Sequence, residues 1–232
     1  MWLSNKKIVD STIWKYQDLL LNSSPNHVVI DNLFDTSKLN ELMQVLHDNR
    51  SWETQRHTYS ALYVDNDNWQ GAKDEHRFVQ RDVWQGETHN RKANNIAHSF
   101  LSFLRGDEFL ALLSRIFNVT LTDENVANPS VNTNYFRLGP ADFVNQHADD
   151  SPGREVCMLL YLNKDWDANS GGDLVFMGKN GKRVSIAPLF NRCVLFDPSS
   201  EGAEHWVNAV NAVNENTASK YRYNITSWYW SE

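Results

Sequence analysis

Gln146-His147-Ala148-Asp149-Asp150 closes a short run, Phe143–His147, in which apolar and polar residues mix without a helical period. Read as extended chain, its side chains alternate faces, so His147 and Asp149 point one way and Asp150 the other. A second histidine, His205, on another strand can complete a group of two imidazoles and one carboxylate around a cation. That requires a fold in which two distant strands meet, and the surrounding sequence has to supply it.

Working outward, the helical period stops after Pro129. Val131–Leu138, Phe143–His147, Glu155–Leu162, Asp173–Met177, Arg183–Ala187, Arg192–Phe196, His205–Val207 and Tyr221–Trp230 are short, rich in β-branched or aromatic residues, and separated by turn residues. Lys179-Asn180-Gly181-Lys182 sets an Asn-Gly pair between two of these runs, which predicts a type I′ hairpin. Eight such strands in about 100 residues predict a jelly roll, a double-stranded β-helix. His147 then lies in its second strand and His205 in its seventh, and the two can converge at one mouth.

The preceding residues read as support. Residues 11–21 form a short amphipathic helix, and Asn22-Ser23-Ser24-Pro25-Asn26 breaks it before a strand at Val28-Val29-Ile30. Asp35 or Thr36 caps a helix through Leu39, Leu42, Met43, Val45 and Leu46. Residues 50–90 carry irregularly spaced aromatics; they read as two strands, around Thr58–Val64 and Phe78–Trp84, and also as a substrate-facing lid. From Arg91 to Asn118 two apolar stripes, Ile96/Phe100/Leu101/Leu104 and Phe109/Leu110/Leu112/Leu113/Ile116/Phe117, predict two helices interrupted at Gly106-Asp107. The expected class is α+β: a jelly-roll core at 130–232 with N-terminal helices and outer strands at 1–129 packed on one sheet, in a single domain.

Composition bounds the function. The chain has 232 residues and a net charge of −7, with 41% hydrophobic and 22% charged residues. Those are the proportions of a soluble globular domain, and the balance gives no basic footprint for nucleic acid. The N-terminus is interrupted by Asn5-Lys6-Lys7, so it offers no signal-peptide core, and no apolar run approaches a membrane span. Cys157 and Cys193 lie inside apolar runs and read as buried thiols. The expected setting is cytoplasmic. The histidines His27, His47, His57, His76, His89 and His98 lack ligand spacing and read as structural or solvated.

Two imidazoles and a carboxylate with the remaining positions open form the facial triad of non-haem Fe(II) oxygenases. The last strand adds Arg222, Asn224, Thr226 and Trp228 at alternate positions, hence on one face. An arginine on a core-facing position is costly without an anion, and a small dicarboxylate would supply one bidentately. Arg222 on a solvent face is the alternative.

The segment Tyr161-Leu162-Asn163-Lys164-Asp165-Trp166-Asp167-Ala168 with Ser170-Gly171-Gly172, the His147-x-Asp149 pair, His205-x-Val207 and Arg222-Tyr223-Asn224-Ile225-Thr226-Ser227-Trp228-Tyr229 together resemble the prolyl 4-hydroxylase-like 2-oxoglutarate- and Fe(II)-dependent dioxygenases, most closely their oxygen-sensing branch. The resemblance implies His147, Asp149 and His205 as iron ligands, and Arg222 and Tyr161 as partners of the distal carboxylate of 2-oxoglutarate. It also implies Tyr135 near the iron, Thr226 and Trp228 lining the pocket, and Arg154 meeting a peptide substrate. Fe(II), 2-oxoglutarate as cosubstrate, O₂ and supporting ascorbate follow from it, as does hydroxylation of a proline-containing protein or peptide with release of succinate and CO₂. The same chemistry on a free amino acid or small molecule, and a non-catalytic metal-binding jelly roll, are the alternatives. The Asn- and Ala-rich stretch Asn208–Ser219 has no counterpart in that branch and is expected as a loop at the rim of the roll.

Overall fold

A computed structural model describes residues 1–47, 49–57, 79–86, 95–124, 132–211 and 221–231. Helix α1 (Asp10–Asn22) buries Ile13, Tyr16 and Leu20 along one stripe. Strand β1 (His27–Asp31) follows, with Val28 and Ile30 inward. Helix α2 (Thr36–Leu46) starts at Asp35, whose carboxylate accepts from the Lys38 backbone N–H at 2.9 Å. The choice between Asp35 and Thr36 as cap therefore falls to Asp35, satisfying one of the orphan donors of the first turn.

Strands β2 (Trp52–His57) and β3 (Val79–Trp84) pair antiparallel from Trp52↔Trp84 to His57↔Val79. The observed partner of β3 thus starts ahead of the expected Thr58–Val64 segment, which lies outside the described residues, and of the suggested 50–90 lid the parts 50–57 and 79–86 are described, chiefly as these two strands. Polar Glu53-Thr54-Gln55-Arg56 hides the strand period of β2 in the sequence. Helices α3 (Ile96–Leu104) and α4 (Asp107–Phe117) follow as the two apolar stripes predict, separated at Gly106.

The remaining strands are β4 (Leu121–Thr122), β5 (Thr133–Leu138), β6 (Phe143–His147), β7 (Arg154–Tyr161), β8 (Leu174–Phe176), β9 (Val184–Ile186), β10 (Arg192–Phe196), β11 (His205–Val207) and β12 (Arg222–Ser231). Between β8 and β9, Asn180 (φ 55°, ψ 31°) and Gly181 (φ 72°) both take left-handed backbone, and Lys182 N–H donates to Lys179 O at 3.1 Å, a type I′ turn. The described strands form one curled antiparallel sheet in the order β1-β10-β7-β12-β5-β3-β6-β11-β8-β9, with β2 on β3 and β4 on β12. This is a double-stranded β-helix; the N-terminal part contributes β1 and β3 to the same sheet.

The curl makes two interiors from one alternation. Even residues of β7 (Val156, Met158, Leu160) and odd residues of β12 (Ile225, Tyr229) face the helices, with Phe100, Phe109 and Leu113. Odd residues of β7 (Cys157, Leu159, Tyr161) and Trp228 of β12 face inside the roll, against Leu174, Phe176, Val194 and Phe196. Both faces of β7 are apolar because both are covered. Truncating a residue such as Leu160 to Ala would cost about 2–5 kcal/mol. Both cysteines are buried and free. Among the described residues no helix is long and apolar enough to cross a membrane.

Candidate metal centre

Pairing of β6 and β11 sets His147 opposite His205. The register then slips, so that Val207 meets Val144, three residues back from His147, and this irregularity turns both Val144 and His147 toward one pocket. The ladder ends at His147, and Asp149 follows in unpaired extended chain, on the histidine side, while Asp150 is exposed. His147 Nε2 is 3.7 Å from Asp149 Oδ1 and His205 Nε2 is 3.7 Å from Asp149 Oδ2. One ligand atom from each of the three lies within 4.8 Å of the others.

Second contacts fix the tautomers. His147 Nδ1 meets the Asn145 carbonyl at 2.8 Å and His205 Nδ1 meets the Ala203 carbonyl at 2.9 Å. A carbonyl only accepts, so each Nδ1 carries the proton and each Nε2 lone pair is turned to the cluster. Burial, and then the neighbouring His205, hold His147 down at a pKa of about 3, against the opposing pull of Asp149, so it is neutral at physiological pH. Burial alone would raise the Asp149 pKa; His147, His205, Arg154 and a bond from Trp228 outweigh it and hold the carboxyl ionised. Trp228 Nε1–H donates to Oδ2 at 3.0 Å, while Oδ1 is buried with no partner among the described residues. Two Nε2 atoms and one unmatched carboxylate oxygen are the donor set for a divalent first-row cation.

Beside the cluster lies an unmatched cation. Arg222 is 1% exposed. Its Nε donates to Gly172 O at 2.6 Å and its Nη1 to Asn224 Oδ1 at 2.7 Å, and Asn224 Nδ2 donates on to Thr226 Oγ1 at 3.0 Å. Gly172, at φ +75°, admits this: a Cβ there would sit 3.0 Å from Arg222 Cδ and 3.1 Å from Trp166. Arg222 Nη2 and the Tyr161 hydroxyl are both buried with no partner among the described residues, and the guanidinium lies 4.9 Å from the Tyr161 ring centroid. Burial pushes the Tyr161 pKa up to about 12, so the phenol keeps its proton. Two donors without acceptors define an anion site in a low-dielectric interior.

The pocket that joins these groups is lined by His147, Asp149, His205, Arg222, Asn224, Thr226 and Trp228, with apolar walls that include Leu138, Leu159 and Leu174. Its volume is about 30 Å³, so a diacid enters only as side chains move apart. A larger groove of about 450 Å³, between α2 and the start of β12, holds none of these residues.

Tyr135 needs correction, and Arg154 is engaged within the protein. Tyr135 lies on the other face of β5, in the helix-side core, and its hydroxyl donates to Ala97 O at 2.8 Å. The register Ile225↔Tyr135 puts it on the odd, outer face of β12, away from the pocket. Arg154 is 3% exposed; it donates to the Asp149 carbonyl and stacks over Trp228 and Trp230. Trp228 does line the pocket, with its N–H committed to Asp149. In the described start of the 208–219 stretch Val210 pairs with Gly171 and is buried with Trp166 and Leu138, Asn208, Ala209 and Asn211 are exposed, and 212–219 lie outside the described residues. Sequence reasoning missed Arg81, a buried residue of β3 that lines the pocket over the Phe136 ring. Val79-x-Arg81-x-Val83 alternation was the available signal.

Comparison with known proteins agrees with this geometry. Residues 133–230 match the model of the 2OG-Fe(II) oxygenase superfamily. The chain is 34% identical over 89 residues to Egl nine homolog 1 of Rattus norvegicus, covering 37% of this chain and 24% of that protein. It is 28% identical over 163 residues to prolyl 3-hydroxylase OGFOD1 of Mus musculus, 68% of this chain and 27% of that protein. The chain thus spans about a quarter of the length of these curated relatives. A prolyl hydroxylase from Trichoplax adhaerens, solved with a hypoxia inducible factor peptide fragment, shares the fold at a TM-score of 0.61 and 19% identity, over 98% of this chain and 96% of that one. Residues 133–230, the part of this chain similar to the 2OG-Fe(II) oxygenase superfamily, carry the two histidines, the aspartate and Arg222.

Proposed function

We propose that the protein is a 2-oxoglutarate- and Fe(II)-dependent dioxygenase that hydroxylates a proline-containing peptide and releases succinate and CO₂. The observation that carries this reading is the pairing of opposite needs in one pocket: Asp149 Oδ1 with two Nε2 atoms on one side, Arg222 Nη2 and the Tyr161 hydroxyl on the other. Those residues fit Fe(II) and 2-oxoglutarate in chemistry, the first held by His147, Asp149 and His205, the second by its distal carboxylate at Arg222 and Tyr161. When bound, Fe(II) and 2-oxoglutarate supply the activation of O₂, with ascorbate maintaining the reduced metal.

The chain's own part is placement and exclusion. Carbonyls of Asn145 and Ala203 keep both imidazoles in the metal-binding tautomer. Asn224 and Gly172 aim Arg222, with Thr226 closing the chain of bonds. Leu138, Leu159 and Leu174 keep the pocket dry, which strengthens each of these contacts. Peptidyl proline as substrate is supported by the relatives' names and by the fold shared with a peptide-bound prolyl hydroxylase. Buried free thiols fit a reducing, cytoplasmic setting, and one sheet shared by both halves supports a single domain.

A second reading, the same chemistry on a free amino acid or small acid, is favoured by Arg81, a further cation in the pocket that suits a substrate carboxylate. The test is incubation with Fe(II), ascorbate and 2-oxoglutarate against proline-containing peptides and free amino acids, read by succinate release and by the mass gain of one oxygen. Succinate coupled to an oxygenated peptide is expected. No succinate with any substrate, or equal turnover by His147→Ala, refutes the reading.

A further inference from the structure

We infer that Arg154 is a positioning residue for the metal centre, holding Asp149 so that one carboxylate oxygen is presented to the cation and the other is withdrawn. This rests on the oxygenase reading only in requiring that a cation bind among His147, Asp149 and His205.

Asp149 stands beyond the end of β6, so no ladder bond fixes its backbone. A free carboxylate there could chelate through both oxygens and so take a second coordination position. Two contacts prevent it. The Trp228 indole N–H occupies Oδ2 at 3.0 Å, leaving Oδ1 alone without a partner. The Arg154 guanidinium donates through Nη1 to the Asp149 backbone carbonyl and fixes the residue from behind.

Arg154 also controls the first contact. Its guanidinium carbon lies 5.6 Å from the Trp228 ring centroid and 5.0 Å from that of Trp230, so one planar cation faces both indoles. The turn that carries it is closed by Arg154 N–H to Ser151 O at 2.9 Å and pinned to β12 by Ser231 N–H to Gly153 O at 2.9 Å. Arg154, Trp228 and Asp149 therefore move as a unit. The consequence is a monodentate aspartate, which keeps the coordination position that a chelating cosubstrate needs.

The probe is Co(II), whose visible absorption responds to coordination number and geometry, added to the full chain without 2-oxoglutarate, followed by titration with 2-oxoglutarate. Trp228→Phe keeps the ring and removes the N–H. The variant is expected to bind Co(II) stoichiometrically with an altered spectrum and to lose about tenfold in 2-oxoglutarate affinity. Arg154→Met is expected to shift the spectrum the same way, and Arg154→Lys, whose ammonium still reaches the carbonyl, to recover part of the wild-type spectrum. If Arg154→Met does not fold, Trp228→Phe and Arg154→Lys decide by the same measurements. Wild-type spectra and affinities in Trp228→Phe and Arg154→Met overturn the inference. Wild type that binds Co(II) and 2-oxoglutarate but hydroxylates nothing refutes the oxygenase reading and leaves this assignment standing; wild type that binds no Co(II) overturns both.

Discussion

Replacing Tyr161 by Phe separates the two roles that the pocket combines. Tyr161 is fully buried, and its hydroxyl has no partner among the described residues. A buried hydroxyl without an acceptor costs about 1–3 kcal/mol. Deleting the oxygen leaves the ring packing of the inner core unchanged, so metal-free protein should gain about 1 kcal/mol, or about 2–4 °C in Tm for a chain of this size. With 2-oxoglutarate bound the sign reverses. The phenol keeps its proton, its pKa being pushed up to about 12 by burial, and so donates to a carboxylate. A charge-assisted bond of that kind contributes about 1.5–3 kcal/mol, which makes the loss in affinity about 10- to 150-fold. Urea denaturation of the metal-free protein and calorimetric titration of 2-oxoglutarate into the metal-loaded protein measure the two signs. Destabilisation of metal-free Tyr161→Phe by more than about 1 kcal/mol, or unchanged 2-oxoglutarate affinity, would refute the anion-site reasoning.

Other perturbations follow from the same contacts. Gly172→Ala adds a Cβ at φ +75°, 3.0 Å from Arg222 Cδ; the expected cost is about 1–2 kcal/mol in stability with weakened 2-oxoglutarate binding, and calorimetry that finds wild-type affinity counts against it. Asn191→Ala removes side-chain bonds to Phe34 N, Phe34 O and Thr36 Oγ1 at a residue with φ +56°; urea denaturation should show a loss of about 3 kcal/mol or more, and a loss below about 1 kcal/mol is inconsistent with that clamp. For pH, the folded His147 pKa of about 3 lies below its ordinary value of 6.5, so the unfolded chain takes the proton first. Metal-free stability should be level above pH 6.5 in this respect and then fall by up to about 1.4 kcal/mol per unit toward pH 4. His147→Leu should flatten that slope; an unchanged slope assigns it to other groups.

Most of the sheet was legible because alternation and turn residues coincide in this chain. Phe143–His147, Arg192–Phe196 and His205–Val207 have the bounds read from sequence. The inward face of β12 was legible too, since Arg222, Asn224 and Thr226 differ so sharply in polarity from Tyr223 and Ile225 between them. What was not legible depends on register. Tyr135 could be placed only by knowing that it pairs with Ile225, and Arg154 only by knowing that Trp230 lies across from it. Distance along the chain from His147 carries neither fact. Arg81 was lost in a region whose polar residues mask the strand period, although its spacing with Val79 and Val83 puts it on one strand face, just as the spacing in β12 places Arg222, of which the question is what anion a buried arginine awaits.

That question, applied to all the groups at once, is what ties the fold to its chemistry. Elsewhere in the interior many polar side chains are matched, Trp84 Nε1, Asn40 Oδ1 and Asn95 Nδ2 being exceptions: Asn163 bonds Pro188 O and Tyr223 on both sides, Thr133 meets Ser227, and Arg137 pairs with Asp82 at 2.8 Å. In the pocket Asp149 Oδ1 lacks a cation while Arg222 Nη2 and the Tyr161 hydroxyl lack an anion. These needs have opposite sign, yet they do not cancel, because Gly172 and Asn224 hold Arg222 in place and Trp228 and Arg154 hold Asp149. Each unmet group costs about 1–3 kcal/mol, which the apolar clusters on both faces of β7 and β12 offset. A fold that keeps an acid and a base apart in a dry cavity is complementary to a ligand pair that carries both charges, a metal and a diacid that reaches from it to the arginine.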